Sequence, residues 1–192
     1  MRKVFLVLTM ALTTLVSFAQ DGTKKINTKK SGLVWTGSKV VGSSHNGTLS
    51  FKSGELSFKN NTLVGGSFVI DMNSINVTDI SGDGKAKLEG HLKSDDFFGV
   101  AKFSNASLII KNATKQQDGS YAVKADLTIK GITKPIEFEI SLDKNSALTS
   151  FDIDRTKYDV RYGSGSFFDN LGDKAINNNF NIIIFFKIFC IF

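Results

Sequence analysis

The chain has 192 residues, with 24 Lys and Arg against 18 Asp and Glu for a formal net charge of +6, and it contains one Cys, one Pro, one Trp and 17 Phe. That length suits one domain with a substantial core, and a lone cysteine excludes an internal disulfide framework, so stability has to come from packing. The positive charge is spread as Lys interleaved with Asp and Glu, the pattern of a solvated surface, which argues against a nucleic-acid partner.

In chain order, Met1-Arg2-Lys3 is a short cationic start, Val4 to Val16 is apolar, and Ser17-Phe18-Ala19 sets small residues before a cleavage point. This predicts a signal peptide over 1–19, cleaved after Ala19, and a periplasmic or secreted protein. The apolar run is too short to span a membrane. Residues 20–30 are polar, Lys-rich and without period, and are expected to be a flexible leader. Residues 31–192 then form the single domain.

From Ser31 onward, apolar residues alternate with polar ones. Tyr121, Val123, Ala125, Leu127 and Ile129 share one parity, with Lys124, Asp126, Thr128 and Lys130 on the other, as in a strand with one buried face. Ile136, Phe138, Ile140 and Leu142 repeat the pattern after Gly131–Pro135, giving a hairpin-like pair with Pro135 at the start of its second run. Weaker strand signals cover Leu33–Val41, Asn46–Lys52, Glu55–Lys59, Leu63–Met72, Ala101–Lys111 and Leu148–Asp154, separated by turn chemistry such as Lys59-Asn60-Asn61. Asp83–Phe98 lacks alternation and reads as one or two helical turns, and Phe167–Ile176 reads as another short helix. About eight antiparallel strands must stack as a sandwich or close into a barrel. A barrel of eight can be filled by side chains or can hold one elongated ligand.

The tail, residues 180–192, breaks the pattern because it is apolar on both parities, unlike a closing strand with one wet face. It is an aberrant end, a strand covered by a partner or membrane, or a buried segment. The abrupt change in composition after Asn179 favours the first.

Several residues carry the means for chemistry. His91, Ser94, Asp95 and Asp96 fall within six positions, but neighbours in one turn rarely converge, and triads are assembled from separated segments. His45 and His91 without a third defined ligand make a poor zinc site. Tyr162–Phe168 has the glycines of a phosphate-cradling loop without the Lys-Ser/Thr that completes one. Should a pyrophosphate head bind nearby, Arg155, Lys157 and Arg161 are the cations that could meet it.

One set of segments, in order, resembles a known family. Trp35, His45-Asn46-Gly47, Gly65-Gly66-Ser67-Phe68-Val69-Ile70-Asp71-Met72-Asn73-Ser74-Ile75, His91-Leu92-Lys93-Ser94 with Asp96-Phe97-Phe98, and Leu127–Pro135 together resemble the YceI-like family of exported lipocalin-like proteins that bind polyisoprenoids and related lipids. The chain departs from it in having Gly99 where many members carry Asp after the Phe pair, and in the tail.

The resemblance implies an all-β fold, a single extended eight-stranded antiparallel lipocalin-like β-barrel with short helical inserts, enclosing an apolar tunnel. It implies a binding protein, not an enzyme, with no cofactor and no metal. The ligand is then an isoprenoid or fatty-acyl lipid held for transport, storage or sequestration. Transient membrane contact and a homodimer stay open as further partners. The expected tunnel residues are Trp35, Phe51, Phe68, Ile70 and Phe103 from the first half of the chain, and Leu127, Ile129, Phe138, Ile140 and Phe151 from the second. Leu92, Phe97 and Phe98 are expected to plug one end, with Arg155 and Arg161 as head-group cations. The alternative is a solidly packed structural or interaction barrel with no small-molecule ligand.

Overall fold

The structure, a computed structural model, describes residues 21–189. The expected signal peptide and Cys190 lie outside the described residues. Among the described residues there are nine strands, β1 (Gly22–Lys25), β2 (Gly32–Ser38), β3 (Ser44–Lys59), β4 (Thr62–Val77), β5 (Asn105–Lys115), β6 (Tyr121–Ile129), β7 (Ile132–Asp143), β8 (Ser146–Asp154) and β9 (Asn179–Lys187), and one α-helix, α1 (Gly82–Lys93). Every pairing is antiparallel, in the order β3-β2-β9-β8-β7-β6-β5-β4, and β4 returns to β3 to close an eight-membered ring. The expected barrel is therefore the fold.

The ring closes through two features that the sequence concealed. β1 pairs with β3 at Gly22↔Phe58 to Lys25↔Glu55, and β2 pairs with the same strand at Leu33↔Leu49 to Ser38↔Ser44. The two segments thus share one position in the ring, as an interrupted strand. Ile26 is buried and bridges Ile188 of the tail, so residues 22–26 of the expected leader belong to the barrel wall.

The tail is likewise structural. β9 lies between β2 and β8, with Ile182, Ile184, Phe186 and Ile188 buried on one parity. On the other parity, Ile183 stands opposite Val34 of β2, and Phe185 opposite Leu148 of β8, all of them exposed. Both parities are apolar because an outward stripe is apolar too. The expectation of an aberrant end is corrected for residues 180–189.

Local turn chemistry fits the connections. Asn60 and Asn61 both have positive φ in the two-residue turn between β3 and β4, and Lys130-Gly131 repeats that geometry between β6 and β7. Such turns match the twist of a hairpin, and Asn and Gly tolerate the left-handed region. Pro135 sits opposite Asp126 within β7, in the stretch that β8, which pairs only from Ile140, does not reach. Gly99 also has positive φ, at 57°.

Long connections gather at one end of the barrel. Short connections, among them the Asn60-Asn61 turn, close the other, where Leu56, Leu63, Phe68, Val123, Ile140 and Phe186 are all essentially inaccessible. Phe186 stacks on Phe68 at a ring separation of 4.6 Å and meets Phe51 at 5.3 Å. At the open end lie α1, the turns after it, and the segment from Arg155 to Asn178, with 3-10 turns at Arg155–Tyr158 and Gly172–Lys174. The expected helix at 167–176 is reduced to the second of these.

Candidate functional site

Helix α1 covers the open end without burying any of its residues. Asp83 in its first turn and Lys93 in its last suit the helix dipole. Polar contacts fasten it to the barrel. Val77 N–H donates to Glu89 Oε1 at 2.8 Å, and Lys85 Nζ donates to Asn76 Oδ1 at 2.8 Å. The bond from Val77 holds the Glu89 carboxyl below its ordinary value, against partial desolvation and with help from Lys85 and Lys93. At the neighbouring rim, His45 Nδ1 lies 2.8 Å from Asp79. Desolvation pushes the Asp79 carboxyl up, but hydrogen bonds from His45 and the Asn46 N–H outweigh it and hold that carboxyl low.

Beneath the helix, three cavities follow one another from the surface into the barrel. The outermost, about 220 Å³, opens between α1 and the end of β2, with Lys39, His45, Leu88 and His91 at its walls. It shares Trp35, Leu92, Phe97 and Ile176 with a second cavity of about 80 Å³. The second shares Leu49, Phe98, Phe180 and Ile182 with an innermost one of about 60 Å³. Phe98 and Phe180 meet edge to face at 6.4 Å in that last shared wall. The innermost wall consists of hydrocarbon side chains and the thioether of Met72.

Of the expected tunnel residues, Phe51, Phe68, Ile70, Leu127, Ile129 and Phe151 line the innermost cavity. Trp35, Leu92 and Phe97 line the outer two, and Phe98 stands between the second and the innermost. Phe138 and Ile140 belong instead to the packed core, where Phe138 stacks on Phe151 at 4.7 Å. Phe103 is not on a strand; it lies in the turn before β5, against Gly99 and Gly131. Among the lining residues that sequence reasoning missed are Leu49, Met72, Phe180, Ile182 and Ile184. The signal for the last three was the shared parity of Phe180, Ile182, Ile184 and Phe186, masked by the apolar residues between them.

Both expected head-group cations are engaged by groups of the protein itself. Arg155 is 2% exposed, and its guanidinium donates to the backbone oxygens of Val160, Tyr162, Ile176 and Asn177 at 2.9–3.1 Å. Burial pushes its pKa down. Its donors tie together the two arms of the 155–178 segment, and it reaches the second cavity only as part of that wall. Arg161 is on the surface, paired with Asp159 and lying over the Phe167 ring.

The residues that suggested hydrolysis do not assemble. Ser94 Oγ donates to the His91 carbonyl, Asp95 pairs with Lys102, and Asp96 is exposed. His91 packs edge-on against Tyr162 at 4.3 Å and Phe97 at 5.7 Å. In the glycine-rich stretch, Ser164 is buried and bonds Asn178 Oδ1 at 2.7 Å, a structural role. Among the described residues, no three His, Cys, Asp or Glu side chains gather as a metal site.

A ring of eight antiparallel strands, one end packed and the other opening through apolar cavities beneath a short helix, is the setting in which the comparisons with known proteins apply. The YceI-like domain profile matches residues 25–188. The chain belongs to the YceI-like domain family. Among curated proteins, a UPF0312 protein of Vibrio vulnificus is 30% identical over 86 residues, 44% of this chain and 42% of the relative. A UPF0312 protein of Yersinia enterocolitica is 34% identical over 74 residues, 38% of this chain and 35% of the relative. The chain thus aligns with less than half the length of these relatives. Among solved structures, BcnA of Burkholderia cenocepacia superposes with a TM-score of 0.64 at 16% identity, covering 86% of this chain and 99% of that one. A polyisoprenoid binding domain from Saccharophagus degradans superposes with a TM-score of 0.58 at 18% identity, covering 85% and 97%. At such identities the likeness is one of fold, and the YceI-like barrel is what this chain shares with them.

Proposed function

We propose that this YceI-like barrel is an exported binding protein that holds one long-chain isoprenoid or fatty-acyl lipid and carries it between a membrane and the aqueous space. The observation that carries this reading is the succession of cavities beneath α1, which ends in a wall made of Leu, Ile, Phe, Met and Ala side chains alone. Each methylene buried there contributes roughly 0.8 kcal/mol, so a chain needs little polar chemistry to be held. Membership in the family, and the polyisoprenoid binding of a structural neighbour, support the choice of ligand class.

Pockets for small ligands commonly enclose about 300–1,000 Å³, more than the two inner cavities provide. A long chain therefore enters only when Phe98 turns away from Phe180 and joins them. Loading from a membrane is supported by the rim, where Val40 and Val41 are exposed at 59% and 66% beside Lys39. Phe167 and Phe168 stand exposed beside Arg161. Apolar tips with neighbouring cations suit an anionic bilayer surface.

Native mass spectrometry of the gently purified full chain tests the reading. A bound lipid mass, or one-to-one uptake of an added C15 to C40 prenyl lipid, is expected; Phe98→Trp, which fills the passage, should reduce that uptake. A ligand-free mass that no added lipid changes would establish the solidly packed alternative.

A further inference from the structure

Three buried side-chain polar atoms among the described residues have no hydrogen-bond partner: Trp35 Nε1, His91 Nε2 and Tyr158 Oη. Buried polar groups are nearly always paired, and leaving one unpaired costs about 1–3 kcal/mol. Two of the three, on Trp35 and His91, belong to side chains lining the same outermost cavity, one from β2 and one from α1. Both are held in place by packing. The indole lies against Gly47, where an added Cβ would stand 2.6 Å from the ring, and the imidazole is set between Tyr162 and Phe97.

We propose that Trp35 Nε1 and His91 Nε2 form a head-group site for an uncharged oxygen, hydroxyl or carbonyl, at the end of the bound lipid; this rests on the lipid-binding reading above. The indole N–H can only donate, so it requires an acceptor. A hydroxyl oxygen accepts from the indole and donates its own proton to the imidazole; a carbonyl accepts from both when His91 carries its proton on Nε2. A phosphate would need buried cations. The outermost cavity is lined by no buried cation: Lys39 is exposed at its solvent edge, and Arg155, in the wall of the next cavity, is committed to four backbone oxygens. The polar end thus stays under α1 while the chain points through Phe98 into the barrel.

Trp35 is the only tryptophan, so its indole N–H gives a single reporter resonance. The full chain is titrated with farnesol, its hydrocarbon analogue farnesene, farnesal and farnesyl pyrophosphate. Farnesol or farnesal should bind about fivefold to tenfold tighter than farnesene and move the indole resonance downfield, and farnesyl pyrophosphate should bind no tighter than farnesol. A response to farnesol alone identifies the hydroxyl, and to both oxygenated probes the carbonyl-tolerant arrangement. In Trp35→Phe and His91→Phe the farnesol affinity should fall to that of farnesene measured on the same variant, and His91→Gln should restore part of the preference. Equal binding of farnesol and farnesene with an unmoved indole resonance overturns the head-group site alone. Tighter binding of the pyrophosphate overturns it in favour of a charged head. Failure of every probe, farnesene included, overturns the lipid reading and the head-group site with it.

Discussion

Trp35 and Gly47 are partners across the β2–β3 ladder, and the indole occupies the space that a side chain at Gly47 would fill. A methyl group at Gly47 would also overlap the backbone oxygen of Asn76. Gly47→Ala should therefore cost about 1–3 kcal/mol, the range for inserting volume into a packed site. Its urea midpoint should fall, and the fluorescence of the sole tryptophan should move to the red as the ring is pushed outward. An unchanged midpoint would mean that the strands part at no cost.

The two parities of β9 should respond unequally. Phe186 is 1% exposed and stacked on Phe68, whereas Phe185 is 43% exposed beside Leu148. Phe186→Ala is expected to destabilise by about 3–5 kcal/mol. Phe185→Ala should stay within about 0.5 kcal/mol. Chemical denaturation of the pair reads out the difference, and similar losses in both would contradict the register.

Arg155 and Arg161 should separate in the same way. Arg155→Gln leaves several of the four backbone oxygens without a donor, at a cost of roughly 3 kcal/mol. Arg161→Gln, at the surface, should change neither the thermal midpoint nor the affinity for farnesyl pyrophosphate. A marked loss of pyrophosphate binding in Arg161→Gln would restore that residue as a head-group cation.

Glu89 should make the seating of α1 sensitive to acid. Its carboxyl pKa is lowered in the fold, chiefly by the Val77 N–H bond, so its stabilising contribution is complete above the ordinary glutamate range and is lost as pH falls through the lowered value. At neutral pH, amide exchange at Val77 and along α1 should be faster in Glu89→Ala than in the unaltered protein. Toward strong acid the two should converge. A difference independent of pH would show that the carboxylate is not what holds the helix.

How far the fold could be read from the sequence depended on how cleanly each strand alternates. β6 and β7 alternate without interruption, and their facing runs, from Tyr121↔Ile140 to Ile129↔Ile132, were legible. β3 reads as two strands because Lys52-Ser53-Gly54 carries turn chemistry, whereas the strand continues through it with an irregularity between Phe51 and Ser53 that shifts its parity. β1 escaped notice because its four residues, Gly-Thr-Lys-Lys, are largely exposed and pair only with the distant end of β3. The aromatic side of the site was readable as inward parity. The fate of Arg155 was not, since the oxygens that claim its guanidinium come from a segment with no periodic signal.

The shared position of β1 and β2 bears on the order in which the molecule assembles. Neighbouring strands from β3 to β9 are consecutive in the chain, so the sheet can grow as a ribbon, one strand joining the next. β2 against β9, with the bridges Ile26↔Ile188 and Lys39↔Ile176 on either side, joins the two ends of that ribbon. Contacts so distant in sequence form late, because the loop they close is long. Until that seam zips, Leu33 and Ile184 have not met and the innermost cavity has no complete wall. The innermost cavity is then the last part of the barrel to form, and the seam through β9 is where it would first come apart.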